Sequence, residues 1–358
     1  MWGIDERPGP DGSPRRATGG ARYAERRPVA SLLRQTGLLR ALERLRRTPR
    51  LLVVSYHCVG ELAGNQLDDA TFSATADEFR EQVQYMKRWF AVPPPHEVLD
   101  SLERGSFADP TLLVTFDDGY RDNYEVAFPT LRDCGVPACF FVVTGLLDAP
   151  RLPWWDRVAY SIKNMNGAVL RLDYPERLVL DLRQVSRARA TWRILRACKD
   201  AKSFDESCLF DELATRTGVT VDVDSLARTL FMSWNSVREM AQAGMAIGSH
   251  TATHPVLASL SEAAQRQELR ESRERIRDAI GSYPDMLAYP VGGPGAFADV
   301  TRRLAREVGY RAAFSYGGAI SRSFRVDPFA VPRVAVEYTD SWAQFRLRLT
   351  LASIGASP

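Results

Sequence analysis

From Leu51 onward the chain alternates short apolar runs with segments of helical spacing. Leu51–Tyr56, Leu112–Phe116, Ala138–Val143, Met245–Gly248, Met286–Tyr289, Ala312–Tyr316 and Val334–Val336 have the length and continuity of buried strands. The helices between them carry their own punctuation. Thr75 and Glu78 form a capping box ahead of Phe79, Val83 and Met86. A helix lies around Asp122–Cys134, Ser233–Ala243 stops at Gly244, and another covers Val300–Glu307. Ser261 opens a long charged helix that ends at Gly281. Such alternation predicts a parallel sheet covered by helices, open or closed into a barrel.

The pattern breaks in three places. Residues 150–227 hold weak strand signals at Val169–Leu172 and Leu178–Leu180 and an Arg/Ala-rich helical segment at Ser186–Lys199. This stretch reads as a mainly helical insertion in a barrel domain that spans 51–345. Residues 1–30 have almost nothing to bury and read as a disordered basic arm. Residues 31–50 read as an amphipathic helix, with Leu38, Leu39, Leu42 and Leu45 on one side and Arg40, Arg44 and Arg47 mostly opposite. That helix packs on the outside of the domain or, in a second reading, rests its 31–47 stretch on an anionic membrane surface. Residues 346–358 are left as a C-terminal tail.

Charge sharpens this division. The 358 residues carry 47 basic and 44 acidic side chains, but residues 1–50 alone hold 12 Arg against 5 acids. The remaining body is mildly acidic, which argues against a nucleic-acid surface there. No apolar run reaches the ~18–20 residues of a membrane span, and no secretory apolar core follows Met1. Five Cys without CxxC spacing argue against a thiolate zinc site or a disulfide scaffold. A cytoplasmic protein, free or at the inner membrane surface, is the expectation.

Chemistry concentrates at predicted strand ends. Of four His, His250 and His254 stand four residues apart in Gly248-Ser249-His250-Thr251-Ala252-Thr253-His254-Pro255. On one helical turn that spacing would bring two imidazoles to one face, as a metal site needs. Thr115-Phe116-Asp117-Asp118-Gly119-Tyr120 delivers two consecutive carboxylates at the end of another strand. Two adjacent acids are costly unless one binds a cation or takes a proton. Together the clusters form a two-His, one-carboxylate set for a divalent metal, with an acid left over as general base. Zinc suits the set best; cobalt, nickel and iron also fit.

Thr115–Tyr120 and Gly248–Pro255 resemble the first two motifs of the polysaccharide deacetylases (carbohydrate esterase family 4). The resemblance implies an α/β fold, a distorted (β/α)7 barrel with its site at the strand C-termini. It makes Asp118, His250 and His254 the metal ligands and Asp117 the base that activates water. Ala288-Tyr289-Pro290-Val291-Gly292 is similar to a third motif, with Ala288 where the family has Arg. That likeness assigns Val291 an oxyanion role through its backbone N–H and puts Tyr289 beside substrate. The family's late His is missing, because none follows His254.

Val54-Ser55-Tyr56-His57-Cys58-Val59 is similar to the Tyr-His start of the poly-N-acetylglucosamine deacetylase branch, whose motifs are circularly permuted. It offers His57 as the general acid, expected on the face opposite Asp117. Arg333 is the candidate to replace the missing Arg that orients the base. Trp154, in Pro153-Trp154-Trp155-Asp156, is a candidate for stacking on sugar.

The resulting expectation is a metal-dependent hydrolase that removes an N-acyl group, acetyl first, from an amino sugar of a polysaccharide or its precursor. Two rivals remain. One is a deacylase of a lipid-linked or nucleotide-linked sugar at the inner membrane face. The other is a catalytically silent carbohydrate-binding barrel.

Overall fold

The computed structural model describes residues 38–44, 50–62, 65–201, 205–317 and 327–353. The basic arm, and the amphipathic segment apart from Leu38–Arg44 and Arg50, lie outside these described residues. Seven parallel strands form the main sheet: β1 (Leu51–Tyr56), β2 (Thr111–Phe116), β3 (Ala138–Val142), β4 (Ala246–Ser249), β5 (Met286–Ala288), β6 (Ala312–Phe314) and β7 (Val334–Ala335). Their order across the sheet is β6-β5-β4-β3-β2-β1-β7. The segment leading into β7 touches both edges. Val331 bridges Phe314 of β6, and three residues later Val334 pairs with Val54 of β1. The sheet is thereby drawn round into a barrel.

Every residue of β2 and β3 is buried, which explains their uninterrupted apolar character. Successive side chains nevertheless face opposite ways. Leu52, Val54, Leu112, Val114, Ala138 and Phe140 pack outward in one cluster, against the helices Ala76–Trp89 and Trp234–Gln242. Val53, Leu113, Cys139 and Phe141 belong to a second, interior cluster with Val98, Leu99 and Leu102 of the helix Pro95–Arg104. Following the interior column toward the strand C-termini, apolar residues give way to polar ones: Val53 to Ser55 and His57, and Leu113 to Thr115 and Asp117. The site therefore stands on top of the barrel core.

Gly248 belongs to that column. A Cβ there would lie 2.4 Å from the Phe141 ring, and the Arg333 guanidinium carbon sits 5.5 Å from the centroid of the same ring. Gly248→Ala is expected to cost ~1–3 kcal/mol through overpacking and to displace Arg333. Chemical denaturation reads the first effect and a crystal structure the second.

Among the described residues, the 150–227 insertion combines four helices with one hairpin, which lies at the two segments that carry strand signals in the sequence. Val169–Leu172 and Leu178–Asp181 pair antiparallel beside the helices Trp154–Asn164, Arg187–Asp200, Glu206–Thr217 and Val223–Arg228. Sixteen of its residues form a hydrophobic cluster of their own.

The C-terminal tail needs a larger correction. Trp342–Ser353 is a helix, and Leu347, Leu349 and Ala352 are buried. Phe345, Leu347, Leu349 and Leu351 recur every second residue, so helical spacing was hidden. A helix buried on nearly all sides needs no polar stripe. Against it packs Leu38–Arg44, with Leu39 fully buried beside Ala343 and Leu347. Glu43 accepts two hydrogen bonds from Arg346 and one from Tyr85. The described turn thus spends Leu39 on the protein itself rather than on a membrane, and no helix among the described residues is long and apolar enough to cross one.

Candidate active site

Two carboxylates leave β2 side by side and meet different partners. Asp117 turns into the barrel mouth, where Arg333 donates from both terminal nitrogens to its two oxygens at 2.6 and 2.7 Å. Both residues are almost completely buried. Burial alone would raise the Asp117 carboxyl, but the Arg333 charge and hydrogen bonds, with help from His250, hold it well below the usual carboxylate range. Arg333 is fixed in turn by the Ser315 carbonyl at 3.0 Å.

Asp118 faces the two histidines. Its Oδ1 lies 3.5 Å from the Nε2 of His250 and 3.5 Å from the Nε2 of His254, and it is buried with no hydrogen-bond partner among the described residues. The candidate ligand atoms of the three residues lie within 4.8 Å of one another. Burial, then the neighbouring Asp117 and Asp156 charges, push the Asp118 carboxyl well above its usual value. Burial lowers both imidazoles, so they present neutral nitrogens. An orphaned buried carboxylate oxygen beside two neutral Nε2 atoms fits a divalent cation. His250 Nδ1 meets the Ala288 carbonyl at 2.8 Å, which fixes the ring with Nε2 toward Asp118.

The His-x-x-x-His segment is not the helical turn its spacing suggested. It is a loop, with Thr251 at φ 67° and His254 at φ 64°. The other described non-glycine residues at positive φ are Asp118 at 73° and Val291 at 62°. All four thus belong to this site or adjoin one of its histidines, as expected where surrounding structure enforces a strained geometry. Glu268, from the helix Glu262–Ile280, holds the loop. It accepts from Ala252 N at 3.0 Å, Thr253 N at 2.9 Å and Thr253 Oγ1 at 2.7 Å. Nothing in the sequence marked Glu268, which looks like any charge on an exposed helix. Glu268→Ala is expected to weaken metal binding by ~10–100-fold without removing a ligand, measurable by competition with a chelator.

His57 follows β1 and faces the same cavity as Asp118, His250 and His254. It stands beside Asp117, not opposite it, with Nε2 3.9 Å from Oδ2. Asn123 donates to its carbonyl at 2.7 Å, and the Ser73 hydroxyl accepts from its N–H at 3.0 Å. The Tyr316 ring packs edge-on at 5.6 Å. Burial lowers His57 to about 4, with the pull of Asp117 outweighed, so its imidazole is neutral at pH 7.

Val291 lines the cavity, and its N–H is committed to no backbone carbonyl among the described residues. Tyr289 is a wall rather than a polar contact for substrate. Its ring stacks on Phe297 at 4.2 Å and its hydroxyl donates to the Phe329 carbonyl. Trp154 also lines the cavity, but Trp155 is the indole against the Asp118–His250–His254 cluster, 4.8 Å from the His254 ring. The Trp155 Nε1 donates to Tyr120 at 3.1 Å, and the Tyr120 hydroxyl donates to Asp156 at 3.3 Å. Insertion and barrel together enclose a cavity of about 840 Å³.

The polysaccharide deacetylase family model matches residues 104–313, more than half the chain. This protein belongs to the polysaccharide deacetylase family. As a polysaccharide deacetylase it carries Asp117, Asp118, His250, His254 and Val291 within the matched segment, whereas His57 and Arg333 reach the same site from outside it. A relative, YxkH of Bacillus subtilis (strain 168), is 20% identical over 290 residues, covering 80% of this chain and 71% of that one. The solved Streptococcus pyogenes deacetylase PplD, in complex with acetate, superposes with a TM-score of 0.55 at 18% identity. That match covers 85% of this deacetylase and 99% of PplD. A de-N-acetylase from Aggregatibacter actinomycetemcomitans matches with a TM-score of 0.55 at 18% identity, over 83% of this chain and 99% of that one. Both carry the same barrel-type fold.

Proposed function

We propose that this polysaccharide deacetylase is a metal-dependent N-deacetylase that cleaves the acetamido group of an amino sugar. The observation that carries this reading is the buried, unpartnered Asp118 Oδ1 between His250 and His254, with a second carboxylate next to it in a different environment. Asp118, His250 and His254 would hold the metal, zinc by preference. Such an ion, when bound, acidifies a water molecule and polarises the amide carbonyl.

The remaining work belongs to side chains and backbone. Asp117, kept ionised and aimed by Arg333, accepts the proton that the attacking water loses. The Val291 N–H supports the developing oxyanion. His57 is neutral at the start of the cycle, so the proton it gives the departing amine comes from the water by way of Asp117, 3.9 Å away. One proton thus serves both halves of the reaction.

His57→Ala is expected to cut kcat by ~10²–10⁴ with metal content unchanged. Acetate release by the purified variant, measured beside its metal stoichiometry, checks this; full activity would assign the acid role elsewhere. A silent carbohydrate-binding barrel would have no use for an acid–base pair of this kind, and the family match favours catalysis.

A further inference from the structure

Both ends of the insertion converge on the turn that carries Asp118. At its start, the Trp155 Nε1 donates to the Tyr120 hydroxyl at 3.1 Å, and that hydroxyl donates to one Asp156 oxygen at 3.3 Å. The other Asp156 oxygen accepts from the Asp68 N–H at 3.0 Å. Just beyond the insertion's end, Phe231 bridges Tyr120 antiparallel and stacks on its ring at 5.4 Å. The Met232 N–H donates to the Gly119 carbonyl at 3.1 Å, and the Arg121 N–H to the Leu230 carbonyl at 2.8 Å. Tyr120 stands two residues after Asp118, so the positive-φ turn at Asp118 is clamped from the insertion side.

The two histidines of the site are held differently. His250 is fixed through its Nδ1 by the Ala288 carbonyl. The His254 ring makes no such hydrogen bond among the described residues; only its backbone N–H is engaged, donating to Thr251 Oγ1 at 3.0 Å. A metal-ligating imidazole ordinarily needs a partner on its second nitrogen to fix its rotation. His254 has two flanking rings instead, His250 at 4.8 Å and Trp155 at 4.8 Å. His250 is itself a candidate ligand, so Trp155 is the contact that comes from outside the cluster. Its indole cannot swing away. The ring is buried in the insertion's own hydrophobic cluster with Val158 and Ile162, and its N–H is bound to Tyr120.

We infer that the insertion is part of the metal centre: Trp155, anchored through Tyr120 and Asp156, holds the His254 ring with Nε2 toward Asp118, as the Ala288 carbonyl does for His250. This rests on the metal site proposed above. Trp155 is a positioning residue, and it acts through His254.

Zinc affinity, read by competition with a chelating dye, tests this without turnover. Trp155→Leu removes both the ring and its N–H and is expected to weaken zinc binding by ~10–100-fold; Trp155→Phe restores a ring and should recover most of that loss. In a His254→Ala background, Trp155→Leu should shift the affinity by no more than ~2-fold, because the ligand it acts through is gone. Leu213→Ala is the control for folding. It hollows the same insertion cluster from a position outside the cavity lining, so it should lower the urea midpoint yet leave zinc affinity within ~2-fold. Unchanged affinity in Trp155→Leu would overturn the proposal. So would an equal loss with and without His254, or a loss in Leu213→Ala as large as in Trp155→Leu. A wild-type protein that binds no zinc would overturn the metal site and this proposal with it, whereas tight wild-type binding beside an indifferent Trp155→Leu would overturn the positioning role alone.

Discussion

Asp117→Asn is expected to lower turnover by ~10²–10⁴ while leaving the metal in place, because base and ligand are separate carboxylates. The substitution keeps the shape of the side chain and removes the charge that Arg333 holds at 2.6 and 2.7 Å. An amide at this position accepts no proton from water. Metal binding should survive, since the candidate ligand atoms belong to Asp118, His250 and His254. The decisive readout pairs kcat for acetate release with metal stoichiometry on the same sample. Near-wild-type kcat would remove Asp117 from the mechanism, and loss of metal would merge the two roles separated here.

The second large effect concerns stability. Arg333→Met should destabilise the fold by ~3–5 kcal/mol at neutral pH, because it leaves a carboxylate buried without its cation. Its pH dependence has a definite sign. In wild type the folded Asp117 carboxyl titrates below its unfolded value of ~3.9, so the pair stabilises the protein above that value. That stabilisation is lost as pH falls through the folded value. Without Arg333, burial dominates and Asp117 takes up a proton at higher pH. The gap between wild type and variant should therefore be wide at pH 7.5 and narrower at pH 4.5. Urea unfolding at the two pH values checks it, and an equal gap at both would mean that removing Arg333 does not change the protonation of Asp117 between them.

Much of this barrel was legible along the chain because its strands are short, almost wholly buried and set off by caps and glycines. The Ser261 cap and the Gly281 stop delimit the long helix Glu262–Ile280 as the sequence suggested. Trp342–Ser353 was hidden because its apolar residues alternate, while tertiary burial on nearly every side makes it a helix. The Asp-Asp and His-His pairs stand out locally because the chemistry needs them adjacent or closely spaced. The conformation of the His loop does not follow from that spacing; Glu268 and the left-handed turns at Thr251 and His254 impose it. Arg333 and Asp117 are 216 residues apart, and what joins them is barrel closure through Val331–Ala335, a long-range contact. Likewise, a side chain's sequence position says nothing of the burial that brings His57 to about 4.

Deacetylation is expected to need a cation held by Asp118, His250 and His254. Chelator-stripped protein, titrated with zinc while acetate release from an N-acetylated amino sugar is followed, tests it most directly. The expected result is no release from the stripped protein and full recovery at one equivalent of zinc, with no recovery in a His250→Ala/His254→Ala variant. Undiminished acetate release from metal-free protein would contradict it.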